Sequence, residues 1–291
     1  MRKYRPKNLD VSKGLCVEVT IVRPELTRIP YRCRGSSFGV AFYRAFIARD
    51  TVKNMSKAFI TFLVAAALAV SPANASEFSF ARLVYEQGGY NDWPRWQADW
   101  PEAEYHFSQG LDRLTAIDVS PEGVLVKMNG EEVFDYPWIY VVEVGSLSLA
   151  RSEIAQLREY LLRGGFMMVD DFHGLREWQN FESVMQQVFP DRDIQDLADT
   201  DEVFHVLYDL GSREQIPGIR ALMNGRTWEK GGRYPRWRGL LDENGRVMVA
   251  INFNQDLGDA WEHADDARYP ANLTSQAYRL GINYLVYAMT H

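Results

Sequence analysis

Asp170-Asp171-Phe172-His173-Gly174 sets two carboxylates and an imidazole inside five consecutive positions, directly after the apolar run Phe166-Met167-Met168-Val169. Side chains of these types can hold a divalent metal, or divide into acid and base where their surroundings push their pKa values apart. A structural role stands beside that one, because Asp and His after a strand also cap the next helix or bond loop amides. His205 offers a second nitrogen, so Asp170, Asp171, His173 and His205 are the candidate metal ligands; flanked by Phe204 and Val206, His205 also suits a purely structural place. A second constellation, NFNQDLGDAWEH from Asn252 to His263, makes Asn254, Asp256, Asp259 and His263 candidate ligand contacts across from the first. Its carboxylate spacing is not that of a helix-loop-helix calcium loop. A third is aromatic and basic: YNDWPRWQADW contributes Trp93 and Trp96, and TWEKGGRYPRWR contributes Arg236. Indoles and planar guanidiniums suit sugar faces and carboxylates when exposed, and fill a core when buried.

The elements that must position these residues read as an alternation of strands and helices. Phe78 to Tyr85 alternates as a strand, followed by a Gly88-Gly89 turn, and a helix runs from Pro101 to about Leu114. Thr115 to Val119 reads as a short strand, Val124 to Met128 with Glu131 to Phe134 as a hairpin around Asn129-Gly130. WIYVVEV, Trp138 to Val144, has the continuous apolar character of a strand buried on both faces. An amphipathic helix from Ser148 to Arg163 ends at Gly164-Gly165, and Phe166 to Val169 resumes as a buried strand, which makes a crossover in a parallel sheet. Further along lie a helix from Glu177 to Val188, a strand at Val203 to Tyr208, a hairpin from Leu240 to Phe253 turning at Asn244-Gly245, and a closing helix from Asn272 to Thr290. The pattern predicts a doubly wound α/β fold, a mostly parallel sheet with antiparallel hairpin additions. Ligands in such sheets bind outside the carboxyl ends of the strands, where Asp170 and Asp171 fall.

Charge and composition divide the chain. MSKAFITFLVAAALAVSPANAS, from Met55, has the basic start, the apolar run Ala58 to Val70 and the A-x-A site of an export signal, predicting cleavage between Ala75 and Ser76. Residues 1–54 then read as an over-extended or disordered leader, 55–75 as the signal and 76–291 as one domain, periplasmic or secreted. The alternative is a membrane anchor over 58–72, although 13 residues of apolar run are short of the roughly 20 that cross a bilayer. Residues 76–291 hold 19 basic and 35 acidic residues, a balance that excludes nucleic acid as a partner. Both cysteines, Cys16 and Cys33, lie upstream, so a thiol nucleophile and a disulfide framework are excluded from the exported part. No G-x-S-x-G elbow, P-loop, H-E-x-x-H or dinucleotide glycine fingerprint occurs.

The ordered segments FARLVYEQGGYNDWPRWQADWP, LREYLLRGGFMMVDDFHG, NFNQDLGDAWEH and AYRLGINYLVYAMTH resemble bacterial proteins grouped as the domain of unknown function 4159 family. The resemblance covers nearly all of residues 78–291 and implies a class I glutamine amidotransferase-like, flavodoxin-like sheet. It carries no reaction across, since the cysteine of the amidotransferases has no counterpart after Cys33. The expectation is an envelope module that binds a carbohydrate or peptide. A metal-assisted hydrolase built on Asp170, Asp171 and His173 and an assembly partner without small-molecule chemistry are the alternatives, and a divalent metal is the cofactor these residues suit.

Overall fold

A computed structural model describes residues 78–87 and 93–291. The signal at Met55–Ser76, the leader with its two cysteines and the Gly88-Gly89 turn lie outside the described residues. Within them no helix is long and apolar enough to cross a membrane.

The chain forms β1 (Ala81–Val84), β2 (Glu86–Gln87), α1 (Glu102–Leu114), β3 (Val124–Lys127), β4 (Trp138–Val142), β5 (Leu147–Ser148), α2 (Arg151–Leu162) and β6 (Phe166–Phe172). It continues through α3 (Gly174–Val188), β7 (Gln195–Asp196), α4 (Ile219–Met223), β8 (Arg236–Leu241), β9 (Val247–Phe253), α5 (Leu257–Glu262) and α6 (Ala271–Thr290). Seven strands make the main sheet in the order β3-β1-β4-β6-β9-β8-β7. The first five are parallel, and β8 and β7 add an antiparallel edge. The fold is thus doubly wound α/β, and its parallel strands, counted in chain order, run 2-1-3-4-5.

Both faces of the sheet are covered, which is why β4, β6 and β9 are buried at every position. One face packs Phe80, Trp138, Tyr140 and Met168 against Phe107 of α1, Trp261 of α5 and Leu280 of α6. The other packs Val141, Val169 and Ile251 against Leu157 of α2 and Phe181 of α3. Each fully buried large apolar side chain contributes about 1.5–3 kcal/mol, so two continuous cores can offset the cost of charged groups held at one end of the sheet.

Three expectations change. The hairpin around Asn129-Gly130 is absent: β3 pairs parallel with β1, and Glu131–Asp135 is a turn of 3₁₀ helix that buries Val133 on the way to β4. β4 lies on the other side of β1 and runs parallel to it, a placement that an antiparallel return from β3 would not allow. Thr115 to Val119 supplies only one bridge, Val119 with Phe78. In place of a strand at Val203 to Tyr208, Glu202–Phe204 is 3₁₀ and sinks Phe204 into the first core under the Arg213 guanidinium, 3.6 Å from the ring centre. The last hairpin and the closing helix form as expected, with Gly245 at φ 84° in the turn between β8 and β9.

Candidate functional site

Chain order reverses between β1 and β4: β1 continues to β3 on one side, β4 to β6 on the other. At such a switch point the loops leaving the strand ends part and open a crevice. A cavity of about 640 Å³ lies there, lined by Asp99, Glu143, Asp171, Lys230, Asp256 and Asp259, with Trp93 and His263 also on its wall.

The loop from β1 is held by Arg82, a fully buried guanidinium on β1 that pairs with Glu104 of α1. It also donates to the carbonyl oxygens of Trp96 at 2.9 Å and Ala98 at 2.7 Å. That grip sets Asp99, at φ 61°, against the start of α5, where Gly258 leaves it room. A Cβ at Gly258 would stand 2.2 Å from Asp99 Oδ2. Burial and the charges of Asp259 and Asp171 hold the Asp99 carboxyl well above the usual carboxylate range, and its Oδ2 is enclosed without a hydrogen-bond partner.

On β6 the two adjacent aspartates separate because of an irregularity in the strand. Met168 faces the first core while Val169 and Phe172 face the second, so an extra residue enters between Val169 and Phe172. Asp171 adopts φ 45° there. Asp170 turns inward, and its Oδ2 accepts from Tyr140 Oη at 3.0 Å, Leu257 N at 2.7 Å and Gly258 N at 3.0 Å. It therefore brackets β4, β6 and the start of α5. Burial, with the charge of Asp171 beside it, pushes its carboxyl up to about 7. Asp171 reaches the cavity, is pushed up to about 7 by burial against the opposing charge of Lys230, and meets His173 Nε2 at 3.1 Å. Burial lowers the pKa of the His173 imidazole, favouring its neutral form.

Glu143, at φ 52° after β4, receives Arg95 at 3.1 Å and Lys230 at 3.4 Å; burial, then the charge of Asp171, pushes it up to about 7. Lys230 also binds Glu177 at 2.8 Å, and the surrounding carboxylates raise its pKa despite burial. Asp256 caps α5 by accepting from Asp259 N at 2.9 Å through Oδ1. Asp259 accepts from Ile219 N at 2.6 Å, which caps α4, and lies 3.4 Å from His263 Nε2. Among the described residues two groupings bring three metal-ligating atoms within 4.8 Å of one another: Asp99, Asp171 and Asp256, and Asp259, Glu262 and His263.

The structure gathers Asp171, Asp256, Asp259, His263 and Trp93 from the predicted set and disperses the rest. Asn254 latches loops together, accepting from Gly174 N at 2.9 Å and donating to Tyr234 O at 2.7 Å. Arg236 pairs with Asp196 on the antiparallel edge. Trp96 is half-buried against Trp100. The predicted metal quartet does not assemble: His205 binds Asp209 at 2.9 Å and the Asp199 carbonyl at 2.7 Å, Asp170 is engaged in its bracket, and neither joins His173 in a grouping. Unforeseen were Asp99, Glu143, Glu229, Lys230 and Glu262 on the cavity wall. The strand-end rule that selected Asp170 applies equally to Glu143 after WIYVV, so that residue was within reach of the sequence.

The profile described as Domain of unknown function (DUF4159) matches residues 79–289. The chain belongs to this family. Among curated proteins none matches it. The family's span takes in every element from β1 to α6, and with them the whole cavity wall.

Proposed function

We propose that the protein is a binding module of the cell envelope that takes a carbohydrate into the cavity at the switch point. One observation carries this reading: the cavity is walled by carboxylate oxygens of Asp99, Asp171 and Asp256 that lack protein donors, while Trp93 stands 49% exposed at its edge. Sugar hydroxyls supply the donors, and an indole face suits the apolar face of a pyranose ring. The envelope location is supported by the sequence of the signal at Met55–Ser76. The parallel strand order 2-1-3-4-5 supports kinship with the amidotransferase-like folds, and the absence of cysteine after Cys33 argues against glutamine hydrolysis by a thiol.

A hydrolytic role is the second reading, favoured by Glu143, whose carboxyl, pushed up to about 7, can hold or release a proton near neutral pH beside the same cavity. Calorimetric titration of the full-length chain with a panel of neutral, amino and acidic glycans, and with short peptides, separates the readings. Saturable glycan binding that is lost in Asp171→Asn and Trp93→Ala at unchanged Tm is expected. Binding of peptides alone reassigns the ligand, cleavage of the bound glycan moves the protein to the hydrolytic reading, and a panel without any response overturns both.

A further inference from the structure

Asp99, Asp171 and Asp256 come from three distant stretches of chain and converge on one point of the cavity, one oxygen of each within 4.8 Å of the others. Asp171 and Asp256 are only 9% and 5% exposed. Each spends its Oδ1, on His173 and on Asp259 N, and its Oδ2 accepts no hydrogen bond among the described residues. The Asp99 carboxylate accepts none at either oxygen, and its Oδ2 is sealed from solvent. Carboxylates that share a buried place repel one another and have lost the hydration that would screen them. Of the cations on the cavity wall, Lys230 binds Glu177 and Glu143, Arg95 binds Glu143 and Arg268 binds Asp266, while the exposed Arg220 forms no ion pair with any of the three aspartates. The arrangement thus presents three inward-facing oxygens without hydrogen-bond donors, on carboxyl groups that no lysine or arginine contacts as an ion pair, although the charge of Lys230 lies near Asp171.

We propose that Asp99, Asp171 and Asp256 hold a single hard divalent cation, Ca²⁺ or Mg²⁺, at the switch point. The donor set contains only oxygen, which selects these ions over zinc; the imidazole of His263 belongs to the neighbouring grouping with Asp259 and Glu262. Oxygens that share one Ca²⁺ ion stand at most about 5 Å apart and those on Mg²⁺ at most about 4.2 Å, and the three carboxylate oxygens lie within 4.8 Å of one another, so the side chains need only close on the ion and Mg²⁺ requires the tighter approach. Three carboxylates leave further coordination positions open to the cavity, where paired hydroxyls of a saccharide would complete the shell. That second step rests on the binding reading given above; the cation site does not.

The test is calorimetry and thermal melting of the full-length, metal-stripped chain with CaCl₂, MgCl₂ and ZnCl₂ in the absence of sugar. One Ca²⁺ or Mg²⁺ per chain is expected, with a raised Tm. Asp99→Asn and Asp171→Asn should each weaken it by about tenfold or more, a scale on which even outer-shell partners act. Without metal, both variants should melt no lower than the native chain, since each replaces a carboxyl whose ionisation is opposed by burial and by its neighbours with a neutral amide of the same shape; this distinguishes lost ligation from lost folding. No cation binding at millimolar concentration overturns the site, as does binding unchanged in both Asn variants. Zinc binding alone, abolished by His263→Ala, assigns the metal to the other grouping and also overturns it. Glycan titration with and without a chelator then tests the second step. Glycan binding indifferent to chelation overturns the bridging role and leaves the cavity reading intact. Cation binding without any glycan binding leaves the site standing and overturns that reading.

Discussion

Asp170 and Asp171 are chemically identical neighbours with different work to do. Three donors converge on Asp170 Oδ2, two of them backbone amides of α5 that have no other acceptor, whereas Asp171 accepts only from His173 and faces the cavity. Leaving buried donors without acceptors costs about 1–3 kcal/mol apiece. Asp170→Ala is therefore expected to lower unfolding stability by about 3 kcal/mol or more, measured by urea denaturation. Asp171→Ala should leave stability nearly unchanged and remove cation and ligand binding. Equal losses in both variants would show that the two residues share one structural role. Sequence position alone marked the pair, because both follow an apolar strand; which of them faces the cavity depends on the extra residue between Val169 and Phe172, and that irregularity leaves no trace in the local pattern.

At the level of elements, the site depends on short pieces packed without spare room. α5 has only six residues, yet it donates to Asp170, receives the Asp256 cap and lies against Asp99. Gly258 makes that approach feasible: a Cβ there would fall 2.2 Å from Asp99 Oδ2 and 2.8 Å from Tyr140 Oη. Gly258→Ala, an otherwise mild change inside a helix, is expected to cost about 1–3 kcal/mol by overpacking and to displace Asp99. Its signature would be a lowered Tm together with weakened cation affinity. An unchanged affinity would remove Asp99 from the site. The NFNQDLGDAWEH segment reads as a loop because its polar residues and glycine hide so short a helix, whose apolar Leu257, Ala260 and Trp261 find their partners in the distant first core.

At the scale of the molecule, one end of the sheet collects carboxyl groups whose charge the fold disfavours. Glu143 gives the cleanest pH signal. Its carboxyl rises from 4.5 to about 7 through burial, with Lys230 and Arg95 opposing and Asp171 and Glu177 reinforcing the rise. The native chain then keeps a proton that the unfolded chain has lost. The resulting stabilisation is fully present below the unfolded value and is lost as pH rises through the folded one, up to about 3 kcal/mol for a shift of this size. The metal-stripped protein should accordingly melt at a lower temperature at about pH 8 than at about pH 5, and Glu143→Gln should flatten that slope. A slope unaltered in Glu143→Gln would assign the effect to other carboxylates.

The sequence by itself determined the alternation of strands and helices, and with it the doubly wound sheet and the end of it where ligands meet the chain. Those properties follow from hydrophobic periodicity and from turn residues, which act over a few positions: WIYVV and FMMV state their burial on both faces in their own composition. It also placed Asp171, Asp256 and Asp259 on the cavity wall, since each falls at or just beyond the carboxyl end of a buried strand. Only the tertiary structure decided that Asp99 and Lys230 join them while His205 and Arg236 do not. Asp99 arrives because a buried arginine on β1 ties its loop to α1, Lys230 because Glu143 and Glu177 bind it, and Arg236 is drawn to the sheet edge by Asp196. Convergence of side chains from distant stretches is set by which surfaces pack together, and no local pattern encodes it.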